Sequence, residues 1–260
     1  MKNKNSGIKW HKVFGAASVI ALIVFAVMLY IDFGTGIKSS EASGKEKKEG
    51  SALDTAGQDT TATEAETKVS NKAVVCIDAS HGGSDTGQYD GTNYEKTQVL
   101  EMAKLVEAEL TKRGVKVVMT RTDDESVDYT SRIKKSNQAK AVVLVSLHRD
   151  IAKKSGAGMG VSTWIHTSSP SDSNKLANGI IGAFKESGVS VNGVNTGTPD
   201  NSAKDYYLNQ HSSSASCIVE LGNMYSSEDN KLVGTDKEKT AKAIADGIIK
   251  YLEQAGYING

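Results

Sequence analysis

The hydrophobic and polar residues of this 260-residue chain are arranged in three zones with different patterns. In the first zone, twelve residues with four lysines and no acidic residue precede an apolar run at residues 13–31. A helix over this run would span roughly 28 Å, close to the thickness of the hydrocarbon core of a bilayer. The lysines place the N-terminus on the cytoplasmic side under the positive-inside rule. The pattern therefore predicts a cytoplasmic tail at residues 1–12 and a single transmembrane helix at residues 13–31.

A cleaved signal peptide is the alternative interpretation of the apolar run. Signal peptides have a shorter apolar core, of about 7–15 residues, and a cleavage site between small residues close behind it. The nearest acceptable site here, around Ala42, lies far downstream of the run. The sequence therefore favours an uncleaved anchor.

The second zone, residues 32–70, consists mostly of Ser, Thr, Ala, Gly and charged residues. Such a segment cannot bury enough apolar surface to offset the entropy that ordering it would cost. We predict a flexible extracellular linker, which would let an attached domain sample material at some distance from the membrane.

The third zone, residues 71–260, alternates buried-type strands with amphipathic helices. Apolar runs at residues 73–77, 141–148 and 216–221 predict buried strands, and a one-sided apolar pattern predicts a helix over residues 92–113. Further strands are predicted at residues 115–120 and 160–166, and further helices at residues 129–138, 174–186 and 236–254. This alternation indicates an α/β fold, a three-layer sandwich with a mostly parallel central sheet.

The composition excludes several classes of protein. The 31 basic and 31 acidic residues cancel, unlike the basic excess of a nucleic-acid-binding surface, so no nucleic-acid partner is expected. Neither a P-loop nor a GxGxxG motif is present, so no nucleotide cofactor is expected either. The two cysteines, Cys76 and Cys217, are too few for a disulfide scaffold. Both lie in buried-type strands, as small core residues or as one disulfide between strands.

Four titratable residues gather where the predicted strands end, which is where ligands bind in open α/β sheets. His81 follows the first strand, His148 ends the third and Glu220 lies near the end of the last. Glu95 lies at the start of the first long helix, which begins on the same edge of the sheet. Two histidines and a glutamate match the ligand set of a hydrolytic zinc site, and a second carboxylate beside them can handle protons.

Each of these residues also has an ordinary structural explanation. His81 precedes two glycines and fits a turn, and His148 fits a hydrogen-bonded core histidine. Glu95 completes the Thr92-x-x-Glu95 pattern of a helix capping box. Glu220 fits a solvated loop acid, although its two apolar neighbours make it costly to bury without a partner. The prediction of a metal site therefore depends on the convergence of all four residues on one edge.

Short motifs surround these positions in a fixed order along the chain. They are DASHGGSDTG at residues 78–87, EK at 95–96, TRTDD at 120–124, Arg132 with Asn137, SLH at 146–148 and IVELG at 218–222. Together they resemble the motifs of the zinc-dependent N-acetylmuramoyl-L-alanine amidases, the type 3 cell-wall amidases. The resemblance covers residues 73–255. It departs from the family pattern at Ala79-Ser80, where Pro-Gly is usual, and at Arg149-Asp150, after the third ligand.

The resemblance implies a Zn²⁺ ion held by His81, Glu95 and His148, with Glu220 as the general base and then the general acid. It implies hydrolysis of the amide between N-acetylmuramic acid and the L-alanine of peptidoglycan, on the wall side of a bacterial cell membrane. Arg149 is expected either to bind a substrate carboxylate or to pair with Asp150.

Two further expectations concern the residues before the last strand. His211 is a weaker candidate for a substrate contact, whereas His166 is expected to be structural. Residues 189–209 are too few for the blocking helix that some relatives insert, so we expect an open groove.

The sequence is also compatible with two other functions. A catalytically degenerate relative would bind peptidoglycan without cutting it, and the altered residues around the motifs support that alternative. A related zinc carboxypeptidase would instead cut a bond within the stem peptide. Nothing in the sequence identifies a protein regulator.

Overall fold

A six-stranded mixed sheet forms the centre of the protein in the computed structural model, which describes residues 73–150 and 159–259. The strands are β1 (Val74–Ala79), β2 (Lys116–Met119), β3 (Val143–Asp150), β4 (Val161–Ile165), β5 (Val191–Thr196) and β6 (Ala215–Asn223). They lie in the order β2-β1-β3-β6-β4-β5. The first four in this order are parallel, as predicted, whereas β4 runs antiparallel to β6 and β5 parallel to β4.

Helices cover both faces of this sheet. They are α1 (Glu95–Lys112), α2 (Tyr129–Gln138), α3 (Ser171–Glu186), α4 (Tyr207–His211) and α5 (Lys237–Gln254), with a 3-10 turn at Asp229–Val233. The larger hydrophobic core contains α1, α3 and α5, and a smaller one on the other face contains residues of α2 and α4. Because strand side chains alternate between the faces, one sheet supplies both cores. The predicted three-layer arrangement is therefore confirmed.

The two cysteines lie on opposite faces of the sheet. Cys76 belongs to the smaller core and Cys217 to the larger one, and β3 separates their strands. Both are buried free thiols. The disulfide alternative is therefore wrong, and the interpretation as small core residues is confirmed.

The register of the parallel strands brings the polar residues together near the carboxyl edge. Asp78 on β1 pairs with Ser146 on β3, and two residues further along β3, His148 pairs with Glu220 on β6. Along each strand, these four residues alternate with residues of the larger core. Their side chains therefore project towards the opposite face of the sheet, which carries α2 and α4.

Residues 189–209 contain structure that the hydrophobic pattern does not reveal. β5 is an edge strand in which Gly193 and two asparagines interrupt the apolar positions, so it lacks the run typical of a buried strand. α4 begins at the end of the stretch and is only five residues long. As expected, residues 189–209 contain no long helix.

The predicted tail, transmembrane helix and linker at residues 1–12, 13–31 and 32–70 lie outside the described residues. Among the helices that are described, none is both long enough and apolar enough to cross a bilayer.

Candidate metal centre

The loop between β1 and α1 holds His81 in an unusual backbone conformation. Its φ of 58° lies in the left-handed region, which costs free energy for a residue with a side chain. Buried arginines hold the surrounding carbonyls. Arg121 donates to the two carbonyls that precede His81, both at 2.8 Å, and Arg132 donates to the carbonyl of His81 itself at 2.6 Å. These bonds keep the strained loop, and with it the imidazole, in one position.

Asp85 and Gly87 orient His81 within this loop. The carboxylate of Asp85 lies 2.9 Å from Nδ1 of His81, an arrangement that favours a proton on Nδ1 and leaves Nε2 available to a metal. Gly87 has a φ of 63°, and a Cβ atom there would lie 2.7 Å from both Glu95 Oε2 and His81 Cδ2. A larger residue at this position would therefore push the two side chains out of place.

Glu95 brings its carboxylate between the two imidazoles. Its Oε1 lies 3.0 Å from His81 Nε2 and 3.2 Å from His148 Nδ1. The backbone N–H groups of Arg149 and Gln88 donate to its two oxygens, each at 2.9 Å. Burial alone would raise the pKa of Glu95, but the hydrogen bonds and charges of His148 and His81 hold it well below its usual value. The carboxylate is therefore ionised, as a metal ligand must be.

The capping-box explanation of Glu95 is wrong. α1 begins at Glu95 itself, after Tyr94 as the N-cap, and no side chain caps the helix. A capping box needs its glutamate at the third helical position, where it can reach back to the N-cap N–H. Glu95 is instead the first helical residue, and its side chain turns into the site.

The three predicted ligands fit a zinc ion in donor type and in spacing. One ligand atom from each of His81, Glu95 and His148 lies within 4.8 Å of the others. Ligand atoms about 2.0–2.1 Å from a tetrahedral zinc would be roughly 3.3 Å apart. The distances from Glu95 Oε1 to His81 Nε2 and to His148 Nδ1, 3.0 and 3.2 Å, are close to this separation. Three protein ligands also leave the fourth position free, as in catalytic zinc sites.

Glu220 lies beside this cluster as a buried carboxyl group that is 2% exposed. Its Oε1 accepts a hydrogen bond from the Tyr206 hydroxyl at 2.9 Å, and its Oε2 has no hydrogen-bond partner within residues 73–150 and 159–259. Burial, followed by the charges of Asp150 and Glu95, raises the pKa of Glu220 well above its usual value. Such a group is suited to take up a proton and return it.

Arg149 has a different environment from the one expected of a substrate ligand. Its guanidinium is buried and donates to the carbonyl of Gly222 and to the side chains of Gln98 and Asn230. Its backbone N–H holds Glu95. The geometry gives Arg149 a structural role. Burial raises the pKa of Asp150, and the charge of Arg149 opposes that rise. The contact of Arg149 with substrate stays a prediction.

Two further histidines of the described residues, His166 and His211, are not part of the cluster. His211 is exposed at the end of α4, where its ring stacks on Tyr207 at a centroid distance of 4.0 Å. Its contact with substrate stays a prediction. His166 follows β4, which runs antiparallel to β6 and so ends away from Glu220. Its Nε2 lies 3.2 Å from Asp205, in accord with the structural role expected for it.

Tyr206 is the neighbour of the site that the sequence does not reveal. It lies 14 positions before Glu220, next to a helix of five residues that no periodic pattern indicates. Asp85 is part of the first motif, but only its distance from His81 assigns it the task of orienting that ring.

Comparisons with known proteins agree with this geometry. The family model described as N-acetylmuramoyl-L-alanine amidase matches residues 75–250. The N-acetylmuramoyl-L-alanine amidase LytC of Bacillus subtilis is 29% identical over 197 residues, which are 71% of this chain and 38% of LytC. YqiI of the same organism is 28% identical over 183 residues, 69% of this chain and 85% of YqiI.

A solved structure with a similar fold is the catalytic domain of CwlV, an N-acetylmuramoyl-L-alanine amidase from Bacillus (Paenibacillus) polymyxa var. colistinus. The TM-score is 0.61 at 29% identity, and the match covers 70% of this chain and 98% of the CwlV domain. The family model, the likeness to CwlV and the grouping of both histidines with Glu95 lead to one conclusion. This chain belongs to the N-acetylmuramoyl-L-alanine amidase family.

Proposed function

We propose that this chain is a zinc hydrolase that cleaves the amide between N-acetylmuramic acid and L-alanine in peptidoglycan. The observation that carries the proposal is the grouping of His81, Glu95 and His148, with Glu220 on the strand beside His148, in a chain of the amidase family. When bound, zinc supplies a Lewis acid that polarises a carbonyl oxygen and acidifies water.

Glu220 carries the proton in this mechanism. Its free Oε2 accepts a proton from water while the water oxygen bonds to the carbonyl carbon of the lactyl group. The carbon–nitrogen bond then breaks, and the carboxyl group gives the proton to the departing nitrogen of L-alanine. The products are a free lactyl carboxylate and a new L-alanine amino terminus. The backbone N–H groups of Gln88 and Arg149 hold Glu95 in place throughout.

Product analysis tests the proposal directly. The full chain with zinc should generate new L-alanine amino termini and free muramic lactyl carboxylates in purified peptidoglycan, as measured by muropeptide mass spectrometry. The same chain with a chelator should generate neither. Intact peptidoglycan with protein bound to it would instead indicate a binding protein, and release of terminal D-alanine a carboxypeptidase. Either result would contradict the proposed reaction.

We also propose that residues 13–31 anchor the chain in the cell membrane, with residues 71–260 on the wall side. The support is an uncharged run of 19 residues that follows four lysines, together with a linker of suitable composition at residues 32–70. This arrangement would place the enzyme beside its substrate, because peptidoglycan lies outside the membrane.

Cell fractionation checks the anchor. The chain should stay in the membrane fraction after alkaline extraction, and Leu22→Lys with Val24→Lys should release it, since each lysine costs about 2.5–3.5 kcal/mol at a helix centre. The matched pair Thr60→Lys and Thr61→Lys in the linker should leave fractionation unchanged. Recovery of a shortened chain whose N-terminus lies near Ala42 would show a cleaved signal peptide instead.

A further inference from the structure

Tyr206 lies beside the candidate site but has no part in the mechanism described above. Its hydroxyl is 2.9 Å from Glu220 Oε1, and its ring centroid is 6.2 Å from that of His148. In this hydrogen bond the tyrosine hydroxyl donates and Oε1 accepts. Burial, followed by the charge of Glu220, raises the pKa of Tyr206 far above its usual value. The hydroxyl therefore keeps its proton.

Side chains on both sides of Tyr206 form hydrogen bonds to residues at the end of β4. Asp205 accepts hydrogen bonds from the backbone N–H and the hydroxyl of Thr167, at 2.7 and 3.0 Å. On the other side, Asn209 in α4 donates to the carbonyl of Trp164 at 3.0 Å. Tyr206 is thus held between two anchored residues, although it lies outside regular secondary structure. Its hydroxyl reaches Glu220 from a fixed position.

The hydrogen bond from Tyr206 to Oε1 fixes the orientation of the Glu220 carboxylate. Without it, the terminal torsion of a glutamate is broad, so the plane of the carboxylate could rotate away from the reacting water. With Oε1 occupied by Tyr206, the oxygen left over is Oε2, which is buried and has no partner in the described part of the chain.

We propose that Tyr206 is a positioning residue that holds Oε1 of Glu220 and so leaves Oε2 as the proton acceptor. This inference rests on the proposed amide hydrolysis. A purely structural role would require only that the buried carboxylate has some donor. A positioning role requires that the orientation of the carboxylate affects the chemical step, because catalytic groups must be held close to their productive geometry.

The variant Tyr206→Phe in the full zinc-loaded chain separates these roles. We expect kcat on a soluble muropeptide to fall about 10–100-fold, the range found when a supporting hydrogen-bond partner is removed. KM and zinc content should stay unchanged, because the ring remains and only the donor is lost. The temperature of thermal unfolding should fall by a few degrees, because a buried carboxyl group loses its one donor. Initial rates and elemental mass spectrometry measure these quantities.

Tyr207→Phe is the matched control, since it removes a neighbouring hydroxyl that lies within hydrogen-bonding distance of the Thr130 hydroxyl, at 3.3 Å, rather than of Glu220. Its kcat should lie within about twofold of the wild type. An unchanged kcat in Tyr206→Phe would overturn the inference, and so would a loss of zinc in that variant. If the wild type formed no amide products, the proposed function itself would be overturned and this inference with it.

Discussion

Glu220→Gln should lower the rate of amide hydrolysis about a thousandfold and leave the zinc content of the protein unchanged. Loss of a general acid–base typically costs about 10²–10⁴ in rate. Glutamine has nearly the same shape, and its amide oxygen can still accept the hydrogen bond that Tyr206 gives to Oε1. It has no carboxylate to take a proton from water. Steady-state rates on purified muropeptides and elemental mass spectrometry of the same samples measure the two effects.

The histidines provide the matched comparison for this variant. His81→Ala and His148→Ala should each weaken zinc binding at least about tenfold, because each removes a ligand rather than a supporting partner. His166→Ala should bind zinc like the wild type, since its Nε2 pairs with Asp205. Zinc loss in Glu220→Gln, or equal loss in all three histidine variants, would show that the ligands have been assigned wrongly.

Asp78→Asn should lower the free energy of unfolding by about 3–5 kcal/mol at a fixed zinc concentration, the usual cost of leaving one partner of a buried ion pair alone. Asp78 is 1% exposed. Its Oδ1 accepts from Arg132 at 2.7 Å and from Thr120 at 2.5 Å, and its Oδ2 accepts from Ser146 at 2.6 Å. An amide would leave the Arg132 charge uncompensated and replace one acceptor with a donor. Guanidinium denaturation measures the change.

Asp123→Asn is the control for this prediction, because its side chain is exposed and its backbone carbonyl, rather than its carboxylate, accepts from Arg121. Its effect should stay within about 0.5 kcal/mol. Similar stability losses in both variants would mean that the buried pair of Asp78 and Arg132 contributes nothing particular to the fold.

The carboxylate of Asp78 also predicts how the free energy of unfolding depends on pH. Burial alone would raise the pKa of Asp78, but Arg132 and the hydrogen bonds from Ser146 and Thr120 hold it below its usual value. Because the unfolded-state pKa is higher, near 3.9, the stabilisation is complete above that pH and disappears as the pH falls through the folded-state value. The wild type should therefore lose more stability than Asp78→Asn below about pH 4. Parallel acid denaturation curves would contradict this.

Local pattern predicts most of the secondary structure of the described region. The short helix at Tyr129–Gln138 has the predicted bounds, and the strands around residues 73–77, 141–148 and 216–221 are present within a few residues. Each of these three strands has an apolar or nearly apolar run. β5 has no such run, because an edge strand is only partly buried and tolerates glycine and asparagine.

The hydrophobic pattern does not predict the direction in which each strand runs. Nothing in the apolar run around Val161 indicates whether that strand lies parallel or antiparallel to β6. The direction depends on how the chain that connects these elements crosses the sheet, and only the assembled sheet contains that information. The predicted parallel direction is correct for β1, β2, β3 and β6. The prediction includes a strand at the position of β4 but not its direction, and it does not include β5.

The sequence by itself determined which four residues form the candidate centre. His81, Glu95, His148 and Glu220 lie at strand ends or at a helix start, and the carboxyl ends of parallel strands meet at one edge. Only the tertiary structure decided what surrounds them. It places the Tyr206 hydroxyl on Glu220 and gives the guanidinium of Arg149 hydrogen bonds to Gly222, Gln98 and Asn230. Strand ends follow from local periodicity, whereas contacts between residues distant in the chain depend on how the elements pack.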